Sequence, residues 1–322
     1  MPNRQAASAP VLARGQGVVY RELPCRSLLN RSTSRRMPFT WTINPYRGCE
    51  FGCRYCYARY THEFMGLEDP HLFETEIFAK TNASDALARD LARLKDPGSG
   101  IAMGTATDPY QPAERKALVT RGILELLARS EDARGIRFSI TTKSDLVTRD
   151  LDVLREIGRR MRLSVNITIT TLNRRLSRIL EPRAPRPGRR LLAVKALAEA
   201  GIRTGVFIMP VLPGITDRPA SLEAIASAAS RAGASTIAHQ VLFLMSSAKR
   251  SFYPFLSERF PRLLAGYRRT YALSAYNTAA YRKRIDLLME SLRKRYDLDG
   301  RSDPDRAPGR RPDLQMSLAF RE

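Results

Sequence analysis

Cysteine is scarce in this chain, with four among 322 residues. Three of the four, Cys49, Cys53 and Cys56, lie in one short stretch spaced C-x3-C-x2-C. So few thiols, so placed, make no disulfide framework, and thiolates that hold a metal need a reducing compartment. Long apolar runs are missing as well. No stretch reaches membrane-spanning length, and the first residues lack the apolar core of a signal peptide. The expectation is a cytoplasmic protein without a membrane span. Acidic residues are few relative to basic ones, 32 against 54, for a net charge of +22. A polyanionic partner, DNA or RNA, is one reading of that excess. The Arg- and Ala-rich composition of a GC-rich genome is the other, because the basic residues are spread along the chain.

What is present suits a globular protein. Hydrophobic residues make up 43% and charged residues 27%, enough for one large domain or two ordinary ones. Residues 1–37 hold Pro, Ser, Arg and Gln with little periodicity and read as an irregular or extended arm carrying Cys25. Residues 39–44 are β-branched and aromatic, and Pro45 stops them, so they read as the first strand. A further strand is expected over 73–79, then a helix over 84–94 with Ser84 as its N-cap. From there strands and helices alternate: strands over 101–105, 136–142, 163–171, 204–211 and 235–244, and helices over 114–129, 151–160, 189–200 and 220–232. That rhythm implies parallel strands with right-handed crossovers. The fold class is α/β, a partial (β/α)6 TIM-type barrel over 38–245. Helical spacing of Leu, Tyr and Met over 246–298 predicts two or three helices that close the open side. Residues 299–322 turn to Arg, Asp, Pro and Gly and read as a disordered tail.

The cysteine loop follows the first strand, so it sits at the C-terminal ends of the strands, the face where barrel active sites lie. A structural zinc site needs a closed set of four ligands, for which His62 or His71 would have to serve. A four-iron cluster normally takes four thiolates, so three leave one iron open. Cys25 could close it, but it lies in the weakly patterned arm. Three inert buried thiols are the remaining alternative.

Cys49, Cys53, Tyr55 and Cys56 spell C-x3-C-x-aromatic-C, the hallmark of radical S-adenosylmethionine (SAM) enzymes, and the chain resembles that superfamily over roughly residues 38–245. Asn44-Pro45-Tyr46-Arg47-Gly48-Cys49, Cys56-Tyr57-Ala58-Arg59 and Gly104-Thr105-Ala106-Thr107-Asp108-Pro109-Tyr110-Gln111 resemble the group related to spore photoproduct lyase. The resemblance implies a [4Fe-4S] cluster on the three cysteines, with the amino and carboxylate groups of SAM on the fourth iron. It also implies a flavodoxin- or ferredoxin-type electron donor. Reduction then cleaves SAM to methionine and a 5′-deoxyadenosyl radical, which takes a hydrogen from substrate. The turn from Gly104 through Thr105 to Thr107 occupies the place of the segment that receives the SAM amino group, or is a tight β/α turn and no more. Lys143 and Ser144 either meet the SAM carboxylate or end a strand in solvent. Thr168 and Thr170 reach the ribose or serve as strand formers, and Phe207, Met209 and Pro210 wall the adenine or fill core. Glu181-Pro182-Arg183 precedes a crossover helix, where an ion pair could be purely structural. His62 and His239 read as structural.

Spore photoproduct lyase uses a cysteine near the second-strand motif as a hydrogen donor, and this chain has Thr105, Ala106 and Thr107 there. Tyr57 is the candidate replacement. Alternatives are radical chemistry on a protein or small molecule, and a non-catalytic iron–sulfur or zinc protein that binds DNA. Gln315-Met316-Ser317-Leu318-Ala319-Phe320 resembles the Q-x-x-L-x-F peptide by which bacterial DNA-processing proteins dock on the sliding clamp; the alternative is an apolar tail that packs on the barrel.

Overall fold

A computed structural model describes residues 8–15, 17–32, 37–98 and 100–300. The β-branched and apolar stretches form a seven-stranded sheet in the order β11-β10-β9-β8-β7-β4-β3. Its parallel members are β4 (Trp41–Ile43), β7 (Ile101–Met103), β8 (Arg137–Thr142), β9 (Arg162–Thr168), β10 (Thr204–Val211) and β11 (Thr236–Val241). Each stands beside its neighbour in the series, the order of a six-stranded partial barrel. β3 (Asn30–Arg31) pairs antiparallel on the outer edge of β4.

Crossover helices bury the stripe that their spacing dictates. The helix Val119–Arg129 buries Ile123, Leu124 and Leu127, and the helix Leu151–Arg160 buries Val153, Leu154 and Ile157. The expected helix over 114–129 is broken, because Leu118 takes left-handed dihedrals with φ of 52°. The helix expected over 84–94 runs Ala83–Ala92, and its N-cap is Asn82, not Ser84. The Asn82 side chain is committed elsewhere: it accepts from Cys25 N at 2.8 Å and donates to Cys25 O at 3.0 Å.

The N-terminal arm is more ordered than the irregular segment expected. β1 (Val11–Gly15) and β2 (Val18–Glu22) form a hairpin, and β2 runs parallel to β6 (Glu76–Ala79). β5 (Tyr46–Arg47) completes this second sheet from the other side. The pairing partner lies some fifty residues away, so local pattern could not reveal it. Leu72–Thr75 is a helical turn, which shortens the strand expected over 73–79.

Three helices follow the barrel: Ser246–Arg259, Pro261–Thr270 and Ala279–Arg295. The first two close over the cysteine loop. Phe252, Phe255, Tyr267 and Tyr271 share one apolar cluster with Phe51, Cys53 and Tyr55. The third packs on β11, where His239 meets Asp286 at 2.8 Å and Arg293 at 3.1 Å. The chain keeps pairing past the expected start of the tail, since Asp299 bridges Thr236. Residues 301–322, with the expected peptide at 315–320, lie outside the described residues. No helix among the described residues is long and apolar enough to cross a membrane.

Candidate active site

The cysteine loop leaves β5 through Gly48, whose φ of +80° suits glycine. A Cβ there would stand 2.7 Å from the Glu76 carbonyl oxygen and 2.9 Å from that of Phe73. Only glycine lets the loop pass this close to β6. Three polar contacts then fasten it: Thr107 Oγ1 and Gln111 Nε2 donate to Gly48 O at 2.6 and 3.1 Å, and Glu50 N donates to Gln111 Oε1 at 3.0 Å. Arg59 reaches back under the loop to Cys53 O and to Glu74 Oε2, both at 3.2 Å.

Cys49, Cys53 and Cys56 come together, each within electrostatic reach of another. Burial pushes the Cys49 thiol well up, the Cys53 thiol up to about 12 and the Cys56 thiol up. Such a nest is costly for thiolates unless a cationic centre joins them. Backbone N–H groups nevertheless favour the thiolate, that of Asp108 at Cys49 and that of Ala58 at Cys56. Lys143 adds a positive charge beside Cys53. Among the described residues no three His, Cys, Asp or Glu side chains converge on a single ion. A cluster takes one thiolate per iron, and three buried thiols within electrostatic reach of one another are a donor set of that kind. The histidines do not complete a zinc site. His62 Nε2 donates to Glu76 O at 2.9 Å with its ring between Phe73 and Phe78, and His71 lies beside Glu74 with 73% of its side chain exposed.

A buried polar network backs the loop. The Tyr55 hydroxyl donates to Glu181 Oε1, and Thr170 Oγ1 donates to the same oxygen at 3.0 Å. Arg190 closes on the other oxygen at 2.5 Å, and its Nη1 donates to Thr168 O at 3.0 Å. Burial alone would raise the Glu181 carboxyl, but Arg190 and Lys143 outweigh it and hold it below the usual range. For Lys143 burial pulls downward, and the charges of Cys53 and Glu181 reverse it. Its Nζ stands 5.8 Å from the Tyr55 ring centre.

The second-strand turn is clamped to the first. Gly104 has φ of +89°, and a Cβ there would meet Thr141 O at 2.3 Å. Asn44 Oδ1 accepts from Ala106 N at 2.8 Å, and its Nδ2 donates to Thr105 Oγ1 at 3.2 Å. The Tyr57 hydroxyl donates to Thr105 O, and burial pushes this phenol up, so it stays protonated.

Other expected site residues have assigned places. Ser144 Oγ accepts from Leu146 N at 3.2 Å as a helix cap, and Thr168 is buried. Met209 is half-buried near the C-terminal end of β10, two positions after Phe207. Cys25 is remote in its surroundings, facing Lys80, Asp90 and Arg89 rather than the other thiols. Arg190, Arg59 and Asp108 are the polar residues that sequence reasoning did not single out. Asp108 was visible inside the Gly104–Gln111 stretch; it accepts from Thr142 Oγ1 at 2.6 Å and Lys143 N at 2.7 Å. Arg190 had no signal, being one arginine among many.

The sequence model of the Radical SAM superfamily matches residues 43–224. An uncharacterized protein of Mycobacterium tuberculosis is 34% identical over 289 residues, 89% of this chain and 84% of the relative. One of Methanocaldococcus jannaschii is 28% identical over 255 residues, 79% of this chain and 86% of the relative. Among solved structures, a spore photoproduct lyase variant superposes with a TM-score of 0.65 at 18% identity, covering 86% of this chain and 79% of its own. A second, with bound AdoMet and dinucleoside spore photoproduct, gives 0.63 at 14% identity over the same shares. At these identities the likeness is one of fold. The family match spans more than half of the chain, and it falls on the cysteine loop and the strands behind it: the protein belongs to the radical SAM superfamily and is an enzyme of that class.

Proposed function

We propose that the chain holds a [4Fe-4S] cluster on Cys49, Cys53 and Cys56, binds SAM beside it, and starts radical chemistry on nucleic acid, in DNA repair or modification. The substrate class rests on the loop that covers the cysteine loop. That cover is direct: Arg54 N donates to Leu180 O at 3.0 Å and Arg183 N to Phe51 O at 3.3 Å. Residues 172–190 expose Arg174, Arg175 and Arg186, which have no acidic partner among the described residues, and also Arg178 and Arg183, whose side chains bond carbonyl oxygens there. The one carboxylate of this stretch, Glu181, is turned inward against Arg190. These arginines form one basic run beside the cysteine loop, where phosphate contacts would position a strand in this reading. A solved neighbour of the same fold, spore photoproduct lyase, has been seen with a dinucleoside spore photoproduct.

When bound and reduced, the cluster supplies the electron that cleaves SAM to methionine and a 5′-deoxyadenosyl radical. The chain's own residues hold and shield this chemistry. Gly104 and Thr105 shape the turn offered to the SAM amino group, and Lys143 is the cation for its carboxylate. Thr168 and Met209 lie on the strands behind, and Thr170 lies just past the end of β9. Tyr57, protonated and placed at Thr105, is the hydrogen donor to a substrate radical in this reading. A flavodoxin- or ferredoxin-type protein is the electron source, and the cytoplasm is the compartment. The peptide at 315–320 is proposed to dock on a sliding clamp; a synthetic 310–322 peptide should bind the clamp, and Phe320→Ala should abolish that binding.

The test is anaerobic reconstitution followed by 5′-deoxyadenosine formation under dithionite. Single-stranded DNA, duplex DNA or RNA should accelerate it. Equal rates with and without every nucleic acid, together with binding that salt does not weaken, would overturn the substrate class.

A further inference from the structure

A second charged recess lies away from the cysteine loop. It is a cavity of about 340 Å³ between the segment that follows β2, Asn30, and the ends of β5 and β6. That volume falls in the range of roughly 300–1,000 Å³ usual for small-ligand sites. Arg26, Arg47 and Lys80 line it together with Cys25, and no Asp or Glu does.

Lys80 is the unusual member. It is only 7% exposed, yet among the described residues its ammonium has no ion pair and no hydrogen-bond acceptor. Buried lysines are ordinarily paired, because an unpaired buried charge is costly. Burial pulls Lys80 down to about 8; the neighbouring Cys25 opposes that fall and Arg47 adds to it. Arg47 is half-buried and equally without an acidic partner among the described residues. Asp90, which faces Cys25, is already used: it accepts from Leu28 N at 2.6 Å, Leu29 N at 2.9 Å and Ser27 Oγ at 3.0 Å, and Glu22 accepts from Thr81 Oγ1. Cys25 faces both Lys80 and Arg47 and burial pushes its thiol up, so the group beside these cations is a thiol and not a carboxylate. The wall is rigid, because Asn82 clamps Cys25 at both its N–H and its carbonyl. The recess therefore presents three cations graded from buried to exposed, on a fixed frame, with nothing acidic among them.

We infer that this cavity is an anion site for a phosphate group, with Lys80 at its depth, Arg47 beside it and Arg26 at the rim. Two guanidinium forks and a point ammonium suit a multi-oxygen anion better than a planar carboxylate. The phosphate can come from a free nucleotide or inorganic phosphate, or from a nucleic-acid backbone. This inference does not rest on the nucleic-acid reading of the barrel mouth, and it uses no residue of that mouth.

Cys25 serves as the reporter. In the anaerobically prepared holoprotein, alkylation of Cys25 by N-ethylmaleimide is followed by mass spectrometry. Inorganic phosphate, adenosine monophosphate and a short single-stranded oligonucleotide are titrated in turn at constant ionic strength set with chloride. The expected result is saturable protection of Cys25 by at least one of them. Lys80→Gln should raise the protecting concentration roughly ten- to hundredfold, the share of one charge-assisted contact. Arg26→Ser, at an exposed position, should weaken protection to a lesser degree and serves as the variant should Lys80→Gln fail to fold by circular dichroism. Protection by the small phosphates alone identifies a free ligand. Protection by the oligonucleotide at lower phosphate concentration identifies a backbone. No protection by any probe, protection matched by chloride alone, or protection unchanged in both variants would overturn the inference.

Discussion

Glu181 Oε2 and Arg190 Nη2 stand 2.5 Å apart with side chains 0% and 1% exposed. The contact is a buried ion pair in which the carboxylate meets the charge of the guanidinium. It holds the carboxylate that Tyr55 and Thr170 both address. Removing the arginine leaves that charge buried with its ion-pair partner gone and only Lys143 to oppose it. Arg190→Met should therefore cost about 3–5 kcal/mol of stability. Adding Glu181→Gln to it should restore part of the loss, which urea unfolding of the two variants can read.

The cysteines divide into three and one. Cys49→Ala, Cys53→Ala and Cys56→Ala should each lose most of the bound iron and all 5′-deoxyadenosine formation, because a cluster already short of one thiolate loses another. Cys25→Ala should keep both, since its thiol faces Lys80 rather than the loop. Iron per chain after anaerobic reconstitution checks this. Retention of iron in all three loop variants would remove the cluster from the proposal.

Much of this arrangement was legible in the sequence, and the rest for definite reasons was not. The helix Leu151–Arg160 and the strand Thr204–Val211 fall where periodicity and flanking turns put them. The C-x3-C-x2-C spacing announced the loop because its chemistry is local. Asn82 looked unremarkable beside Ser84, yet its side chain spans to Cys25, 57 positions away. Pairing of β2 with β6 is likewise long-range and leaves no periodic trace. Glu181 and Arg190 are only nine positions apart, but one arginine in a run of arginines carries no mark of being the buried one. What was invisible is the set of contacts that only the closed fold creates.

His62 makes stability fall in mild acid. Its ring is 1% exposed, and burial holds its pKa down to about 4 against 6.5 for the free side chain. Between these values the unfolded chain binds the extra proton and the folded one does not, so stability rises with pH across the window and is lost as pH falls through it. The loss from pH 7 to pH 5 comes to about 2 kcal/mol. His62→Leu should abolish that part of the slope. Melting temperatures of both proteins at pH 7 and pH 5 check it, and parallel curves would exclude His62 as the source.

Tyr57→Phe separates initiation from completion. The phenol donates to Thr105 O and is not a cluster ligand, so SAM cleavage should continue at a comparable rate. If Tyr57 is the proposed hydrogen donor, the later step loses it and product should fall by an order of magnitude or more. Equal losses of 5′-deoxyadenosine and product would instead assign Tyr57 to holding the loop.

Charge at the mouth can be counted by salt. Arg174, Arg175 and Arg186 are exposed and without acidic partners among the described residues. If each meets one phosphate, binding of single-stranded nucleic acid should weaken with salt, and each contact should contribute about 0.7 to the logarithmic slope. Replacing all three by Ser should then lower the slope by roughly 2 while leaving base preference unchanged, because phosphate contacts position a strand without reading its sequence. The substitutions lie on the surface and should move thermal stability little. Electrophoretic or fluorescence titrations at several salt concentrations measure both slopes. An unchanged slope in the triple variant would mean that these arginines do not touch the strand, and the substrate reading would lose the surface it rests on.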